Sequence, residues 1–293
     1  MNFSQKLKFI RKQFKFTQEQ LAEKLGVSRQ AITKWETDGG LPDIENLIAV
    51  AALFSISLDE LLSDEKLIHA VRDYAYESVT EYDISYPAHF DIHSPGALEV
   101  SVIATDTEKL RIRLASNVLQ TVAQEYKIKL DEHRNRMDVE IRRVGKSSEA
   151  EGKESLIIEI SLPTQYCLDV ELSAFTDVLR LSDTSFPFEF DGKARAVHLK
   201  AVKGVVALNC NTDMDIHADE LPAAIELNQF NSTSVLHIPK GIKYYTKVKG
   251  KSNLIRYRVD DKPAEAPTDT DAENRVELAG LNAELLIEHK GGA

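Results

Sequence analysis

The chain has 293 residues, of which 43% are apolar and 28% are charged, so its composition is that of a folded globular protein rather than a disordered one. The length predicts two domains. No stretch reaches the roughly 20 apolar residues that span a bilayer, and the N-terminus lacks the apolar core of a signal peptide. Cys167 and Cys210 have no CxxC partner, which excludes a zinc site built from cysteine pairs. We therefore expect a reduced, cytoplasmic protein with no membrane contact.

Charge is unevenly distributed along the chain. The formal net charge is −11, which argues against general binding to polyanions. Residues 1–40, however, carry eight Lys and Arg against four Asp and Glu, so this segment has a net charge of +4 and the remaining chain one of −15. This asymmetry predicts a small basic domain in front of a long acidic one.

Residues 3–62 have the spacing and the capping signals of five short helices. Ser4 is expected to cap the first helix, and Thr17, with a glutamine three residues later, forms the capping-box pattern that starts the second. Gly26 ends the second helix, and Ser28 follows almost at once as the cap of a third. Two helices joined by so short a glycine turn are typical of a helix-turn-helix motif. The fourth helix is predicted to pack Leu47, Ile48, Ala51 and Leu53.

One continuous stretch of this region resembles a known family. Residues 17–36 read TQEQLAEKLGVSRQAITKWE, and they are followed by Pro42 and by SLDELL at residues 57–62. This string is similar to the Cro/repressor-type (XRE) helix-turn-helix family of transcriptional regulators. The resemblance implies a five-helix DNA-binding domain over residues 1–66, whose third helix enters the major groove of an operator.

The third helix is expected to have a buried face and a polar outer face. Its spacing turns Ile32 and Trp35 inward. Arg29 fits the O6 and N7 atoms of guanine, and Gln30 fits the N6 and N7 atoms of adenine, because each side chain makes two hydrogen bonds to one base edge. Thr33 suits a thymine methyl group. The residues predicted to contact DNA, through bases or phosphates, are Gln18, Ser28, Arg29, Gln30, Thr33 and Lys34.

Two further features concern the stability and the affinity of this domain. In the resembling family, an arginine of the first helix pairs with the glutamate that ends the recognition helix, which implies an ion pair between Arg11 and Glu36. Asp38 follows the recognition helix and repels phosphate, so we predict a modest affinity for a single domain. We therefore expect a homodimer, because two linked domains gain affinity through avidity.

Residues 67–97 are predicted to be a linker that is helical at first and irregular afterwards. Leu67 and Val71 keep helical spacing, whereas Pro87 and Pro95 argue against regular structure in the second half.

From residue 98 onward the pattern is that of short β-strands, so the chain as a whole is predicted to be α+β. Successive apolar pairs begin 8 to 11 residues apart, at Val170/Leu172, Leu179/Leu181, Phe188/Phe190, Val197/Leu199, Val206/Leu208, Met214/Ile216, Ile225/Leu227 and Leu236/Ile238. Such even spacing favours a stacked β-solenoid over residues 98–293, and a β-sandwich is the alternative. Apolar runs at 276–278 and 285–287 are predicted to cap the stack. The runs IEISLP at 158–163 and LDVELS at 168–173 resemble the candidate-adhesin β-solenoid modules of bacteria, which implies a fold and no specific function.

The repeat is expected to place outward-facing residues in columns, because the residue between two apolar neighbours of a strand points to the other face. On alternate strands these residues are Arg180, His198, His237 and Arg256, with His217 beside its pair. On the intervening strands they are Glu171, Glu189, Ala207 and Glu226. One hypothesis is that the column of His198, His217 and His237 is a docking strip that binds an anion or a metal or responds to pH, and the alternative is a solvated surface without a specific role.

No catalytic motif is recognisable, so we expect no enzyme and no cofactor, and we assign no metal ligand. The chain lacks a phosphate-binding glycine loop, HExxH and GxSxG, and Asp213, Asp215 and Asp219 fall in a predicted turn without a partner base.

We interpret the chain as a sequence-specific transcriptional regulator that binds a double-stranded DNA operator as a homodimer. The β domain would serve dimerisation, a protein partner or a small effector. The alternative is a protein-interaction scaffold or antitoxin-like adaptor whose helical domain docks another protein.

Overall fold

The computed structural model describes residues 3–13, 16–54, 58–62, 74–266 and 272–290. The chain divides into two compact units, Met1–Tyr76 and Glu77–Ala293, which we call the N-terminal domain and the β domain. Among the described residues, no helix combines the length and the apolar character that crossing a membrane requires.

The N-terminal domain consists of helices whose limits follow local signals. They are α1 (Phe3–Gln13), α2 (Gln18–Leu25), α3 (Arg29–Glu36), α4 (Ile44–Leu53) and α5 (Leu58–Leu62). Thr17 caps α2 through a complete capping box, and Gly26 ends it with a left-handed φ of 67°, a conformation that glycine adopts without steric cost. Ser28 caps α3 by accepting a hydrogen bond from the backbone N–H of Ala31. The helix-turn-helix therefore begins and ends at the residues that the sequence predicts.

These helices pack around one apolar core, formed by Phe3, Leu7, Ile10, Leu21, Ala22, Ile32, Trp35, Leu47, Val50, Ala51, Phe54 and Leu61. Two expectations are wrong. Ser4 does not cap α1, which already begins at Phe3, and its hydroxyl donates to Asp38 Oδ1 at 2.9 Å. Ile48 is 52% exposed rather than packed, because neighbouring positions of α4 supply its buried face.

The β domain is built almost entirely from strands. The first are β1 (Tyr76–Asp83), β2 (Ala88–His93), β3 (Ala97–Thr105), β4 (Lys109–Ser116), β5 (Tyr126–His133), β6 (Arg136–Arg143) and β7 (Ile157–Pro163). Those that follow are β8 (Cys167–Ser182), β9 (Phe188–Lys193), β10 (Ala196–Lys200), β11 (Val205–Cys210), β12 (Asp215–Ala218), β13 (Ala224–Phe230), β14 (Thr233–Pro239), β15 (Tyr244–Val248), β16 (Leu254–Val259), β17 (Lys262–Ala264), β18 (Asn274–Leu281) and β19 (Glu284–Lys290). Two short helices that the sequence analysis did not predict, α6 (Val122–Glu125) and α7 (Glu149–Ser155), lie between them.

The strands form two sheets in which most neighbours are parallel. The first sheet has the order β1-β4-β7-β3-β8-β10-β12-β14-β19-β16-β17, and the second has the order β5-β6-β2-β8-β9-β11-β13-β18-β15. Strand β8 belongs to both, since its first half pairs in the second sheet and its second half in the first. From β8 to β16 the chain alternates between the sheets. Strands β9 and β10 stack in register on β8, and each strand from β11 to β14 stacks on the strand two earlier. Strands β15 and β16 stack on β18 and β19.

The predicted linker at 67–97 is wrong in its second half. Strand β2 pairs in parallel with β6 and β8 and buries Ala88, Phe90 and Ile92. The alternating pattern of this strand is hidden in the sequence by the prolines that flank it. The residues of the first half that carry the helical spacing, 67–71, lie outside the described part of the chain. The β domain therefore starts near residue 77 rather than at residue 98.

The sequence analysis expected the two C-terminal strands to cap the stack, and this expectation is wrong. Strand β18 lies between β13 and β15, and β19 lies between β14 and β16. Both are interior strands with a parallel neighbour on each side, and accordingly Val276, Leu278, Leu285 and Ile287 are fully buried.

A buried ion pair joins β3 and β8 in the first sheet. Glu99 Oε2 lies 3.2 Å from Arg180 Nε, and only 6% of the Glu99 side chain is exposed. Burial raises the pKa of Glu99 from 4.5 to about 7, although the charge and the hydrogen bond of Arg180 act in the opposite direction. The folded chain therefore binds a proton at this site over a pH range in which the unfolded chain does not.

We predict that Glu99→Gln flattens the pH dependence of stability. Between about pH 4.5 and about pH 7 the folded state of the parent holds more protons at residue 99 than the unfolded state does, so its free energy of unfolding falls as the pH rises. The contribution of Glu99 is about 3 kcal/mol over this window, since one pKa unit corresponds to about 1.4 kcal/mol. Urea denaturation of both proteins across the window measures the difference in slope.

The matched control is Glu284→Gln, which removes a partly exposed carboxylate that pairs with Arg256 on the same sheet. This control should keep the slope of the parent. Parallel stability profiles for the parent and Glu99→Gln would show that Glu99 is ionised throughout and that the assigned shift is wrong.

Candidate nucleic-acid interface

Polar side chains cover the outer face of α3. Arg29, Gln30, Thr33 and Lys34 are all exposed, whereas the opposite face of the helix packs into the core of the domain. Two of the four side chains are positively charged and the other two are neutral, so the face combines attraction to phosphate with hydrogen-bonding groups that fit base edges.

Gln18, the first residue of α2, connects α2 to α3. Its amide nitrogen donates to Glu36 Oε2 at 2.9 Å, and its amide oxygen accepts a hydrogen bond from the Thr33 hydroxyl at 3.2 Å. The Thr33 hydroxyl also lies 3.0 Å from the backbone carbonyl oxygen of Arg29. The side chain that the sequence assigns to phosphate contact therefore also fixes α2 against α3, and nothing in the sequence pattern indicated this second role.

Arg11 and Glu36 form the ion pair that the family resemblance implies. Arg11 Nε lies 2.5 Å from Glu36 Oε1 and Nη2 lies 2.8 Å from Oε2, so the contact is bidentate. Arg11 Nη1 also donates to the carbonyl oxygen of Phe16 at 2.9 Å. The two side chains are 12% and 2% exposed, respectively, so each charge depends on the other for compensation. The pair thereby joins α1 to the end of α3.

The two ends of α3 are held by polar contacts. Ser28 is exposed and caps the first turn. Asp38 has a left-handed φ of 61°, and its carboxylate accepts the hydroxyl of Ser4 on α1. Asp38 therefore secures the loop behind the recognition helix, in addition to the repulsion of phosphate that the sequence predicts.

In the first sheet of the β domain, three histidines of the predicted column are direct neighbours. His198, His217 and His237 occupy in-register positions on β10, β12 and β14. Their rings stack, with centroids 5.2 Å apart for the first pair and 4.4 Å for the second. Arg180 continues the column on β8.

The other end of this column differs from the prediction. Because β19 is inserted between β14 and β16, the next position of the column after His237 is Glu288, and the one after Glu288 is Arg258. Arg256, which the sequence analysis placed in the column, instead pairs with Leu286 in the adjacent row.

Asp215, expected in a turn without partners, begins β12 and contacts two histidines. Burial by itself raises the pKa of the Asp215 carboxyl, but hydrogen bonds from His217 and His237 outweigh burial and hold this pKa well below its usual range. Asp215 is the functional candidate that sequence reasoning missed, and the only signal for it was its position two residues before a histidine in a strand.

The second sheet carries the acidic column. Glu171, Glu189, Ala207 and Glu226 stand in register on β8, β9, β11 and β13, and they line a groove of about 600 Å³. The acidic column that the repeat predicts is therefore present on the second sheet, whereas Glu288 interrupts the predicted basic and histidine column of the first sheet.

Comparison with known proteins identifies relatives of the N-terminal domain. The helix-turn-helix family matches residues 7–61. The HTH-type transcriptional activator BcrR of Enterococcus faecalis is 52% identical over 68 residues, which are 23% of this chain and 33% of that protein. The cryptic phage CTXphi transcriptional repressor RstR of Vibrio cholerae is 39% identical over 61 residues, which are 21% of this chain and 54% of that protein. The chain thus spans between a third and about half of the length of these relatives.

Solved structures resemble the remainder of the chain. A candidate cell adhesion protein from Clostridium sporogenes is 11% identical, covers 73% of this chain and 99% of its own, and has a TM-score of 0.37. A candidate adhesin from Bacteroides fragilis is 10% identical, covers 74% of this chain and 98% of its own, and has a TM-score of 0.25.

The N-terminal domain is identified by its sequence. Residues 7–61 are a helix-turn-helix domain of the Cro/repressor type, as the sequence analysis predicts.

Proposed function

We propose that the protein is a sequence-specific DNA-binding transcriptional regulator that reads the major groove with α3. The observation that carries this proposal is the exposed row of Arg29, Gln30, Thr33 and Lys34 on a helix whose other face is fully packed. A recognition helix needs this division, because one face must be anchored while the other contacts base edges. Both an activator and a repressor occur among the relatives.

Each exposed side chain of α3 has a role that its chemistry supports. Arg29 makes the bidentate contact to guanine and Gln30 the bidentate contact to adenine. The hydroxyl of Thr33 is engaged by the Arg29 carbonyl group and by Gln18, so we assign the Thr33 methyl group to an apolar contact with thymine. Lys34 supplies a positive charge to a base or a phosphate at the end of the helix.

Backbone contacts to DNA are assigned to the N-termini of the two helices. Gln18 begins α2, and Ser28 caps α3. Both side chains carry N–H or O–H donors, and the first N–H groups of α2 have no partner within the helix. Helix N-termini and such donors bind phosphate oxygens, which orient a protein on the duplex without reading its sequence.

A second copy of the chain is the partner that the N-terminal domain favours. Leu41, Ile44 and Ile48 are all exposed, and the two isoleucines are one turn apart on α4. An exposed apolar strip of this kind is typical of an interaction surface. A homodimer would read two half-sites about 34–36 Å apart and would compensate for the repulsion between Asp38 and phosphate.

We further infer that the β domain is a β-solenoid that carries the regulatory part of the molecule, through dimerisation, a protein partner or a small effector. The in-register parallel stacking of strands that alternate between two sheets supports a solenoid over a β-sandwich, whose sheets are antiparallel.

Substituting the base-reading residues should weaken and broaden DNA recognition. We expect Arg29→Ala and Gln30→Ala each to cost about 1–3 kcal/mol of binding free energy and to relax the preference at one base position, because each removes a bidentate base contact. Selection from random duplexes, followed by titration of every single-base variant of the selected site, measures both effects.

Arg195→Ala in the β domain is the matched control, since it removes an exposed arginine outside the helix-turn-helix. The control should bind like the parent protein. Equal weakening on all sequences would reassign Arg29 and Gln30 to phosphate contact. Binding without sequence preference or salt dependence would instead favour the scaffold function, in which the helical domain docks a protein.

A charge in the apolar strip should separate the dimer. We expect Ile48→Glu to shift the protein from dimer toward monomer and to weaken binding to a two-half-site operator more than binding to one half-site, because the interface must desolvate the new carboxylate. Sedimentation velocity measures the first effect. Val118→Glu in the β domain, at a similar exposure of 54%, is the control and should change neither property. An unchanged dimer in Ile48→Glu would assign dimerisation to another surface.

A further inference from the structure

The histidine column contains a cluster of metal-ligating side chains. Asp215 and His217 are two residues apart on β12, so both project from the same face of the strand. His237 stands in register with His217 on β14. One potential ligand atom from each of the three side chains lies within 4.8 Å of the other two.

Both imidazoles direct a nitrogen at the same carboxylate. His237 Nε2 lies 2.6 Å from Asp215 Oδ1, and His217 Nε2 lies 3.2 Å from Asp215 Oδ2. Two nitrogens and one carboxylate that converge in this way form the donor set that Zn²⁺ and related divalent metals prefer.

A second carboxylate orients His237. Glu288 Oε2 lies 3.1 Å from His237 Nδ1, and Arg258 pairs with the same carboxylate of Glu288. When the proton of His237 is on Nδ1, next to Glu288, the Nε2 atom can bind a metal in place of its contact with Asp215. A carboxylate behind a ligating histidine is also the arrangement that orients histidines in metal sites.

We propose that Asp215, His217 and His237 bind a divalent transition metal of the class that imidazole prefers, with Glu288 as the positioning residue for His237. The side chains of His237 and His217 are only 12% and 24% exposed, so the packing around them restricts the orientation of their rings. Asp215 is 52% exposed, so the cluster is open to solvent on its side. Three protein ligands with an open side leave a coordination position for water or an external ligand.

The strands hold this arrangement in place without the metal. Two of the ligands belong to adjacent parallel strands, and their rings stack at 4.4 Å. Sites built on strands keep their geometry better than sites on loops, so little rearrangement is needed for coordination. The proposal does not depend on DNA binding, because every group in it belongs to the β domain.

Metal titration of the full-length protein tests the proposal. After removal of bound metals with a chelator, the protein is titrated with Zn²⁺ in competition with a chromophoric chelator. We expect one tightly bound equivalent for each chain, and we expect Co²⁺ at the same site to give visible ligand-field bands. His217→Ala/His237→Ala should abolish both signals, and Glu288→Gln should weaken binding about 10- to 100-fold.

Two variants separate coordination from loss of structure. Asp215→Asn keeps the size of the side chain but removes its charge, so we expect it to lose Zn²⁺ affinity while the far-ultraviolet circular dichroism stays that of the parent. His89→Ala/His93→Ala removes two histidines that pair with carboxylates elsewhere in the β domain and should leave the tight equivalent intact. The proposal is overturned if the parent binds no tight equivalent, or if the tight equivalent survives in His217→Ala/His237→Ala. In either case the cluster is an ion-paired surface network.

Discussion

The buried carboxylate of Glu36 is the constraint that orients the recognition surface. It accepts hydrogen bonds from the guanidinium of Arg11 on α1 and from the amide of Gln18 on α2, and it is itself the last residue of α3. Three helices therefore meet at one charge that cannot reach water. Because an unpaired buried charge is costly, the donors and the helices that carry them have little freedom to move. The outward direction of the polar face of α3 follows from this requirement.

The β domain depends on a different constraint, which is the stacking of parallel strands in register. Stacking of this kind brings residues of one type next to each other and so concentrates charge on each surface. Oppositely charged partners lie beside these columns, as Asp215 does beside His217 and His237 and as Arg275 does beside Glu226. The same stacking brings the ligand atoms of the first sheet close together.

The sequence predicted those features that depend on neighbouring residues. The limits of α2 and α3 followed from Thr17, Gly26 and Ser28, because capping is local. Features that depend on distant partners were missed. The register that places Glu288 beside His237 exists only because β19 pairs with β14, and no spacing within either strand reveals that contact. The second role of Gln18 likewise needs the packed arrangement of α2 against α3.

The position of β18 and β19 affects the order in which the β domain can be completed. Strands β15 and β16 are made before residues 274–290, yet their parallel neighbours lie within that segment. Until that segment is synthesised, β15 and β16 lack these parallel neighbours, and exposed strand edges of this kind associate readily with other chains. Lys247 of β15 and the two arginines of β16 place positive charge along these strands, which disfavours such association while the strands lack their neighbours.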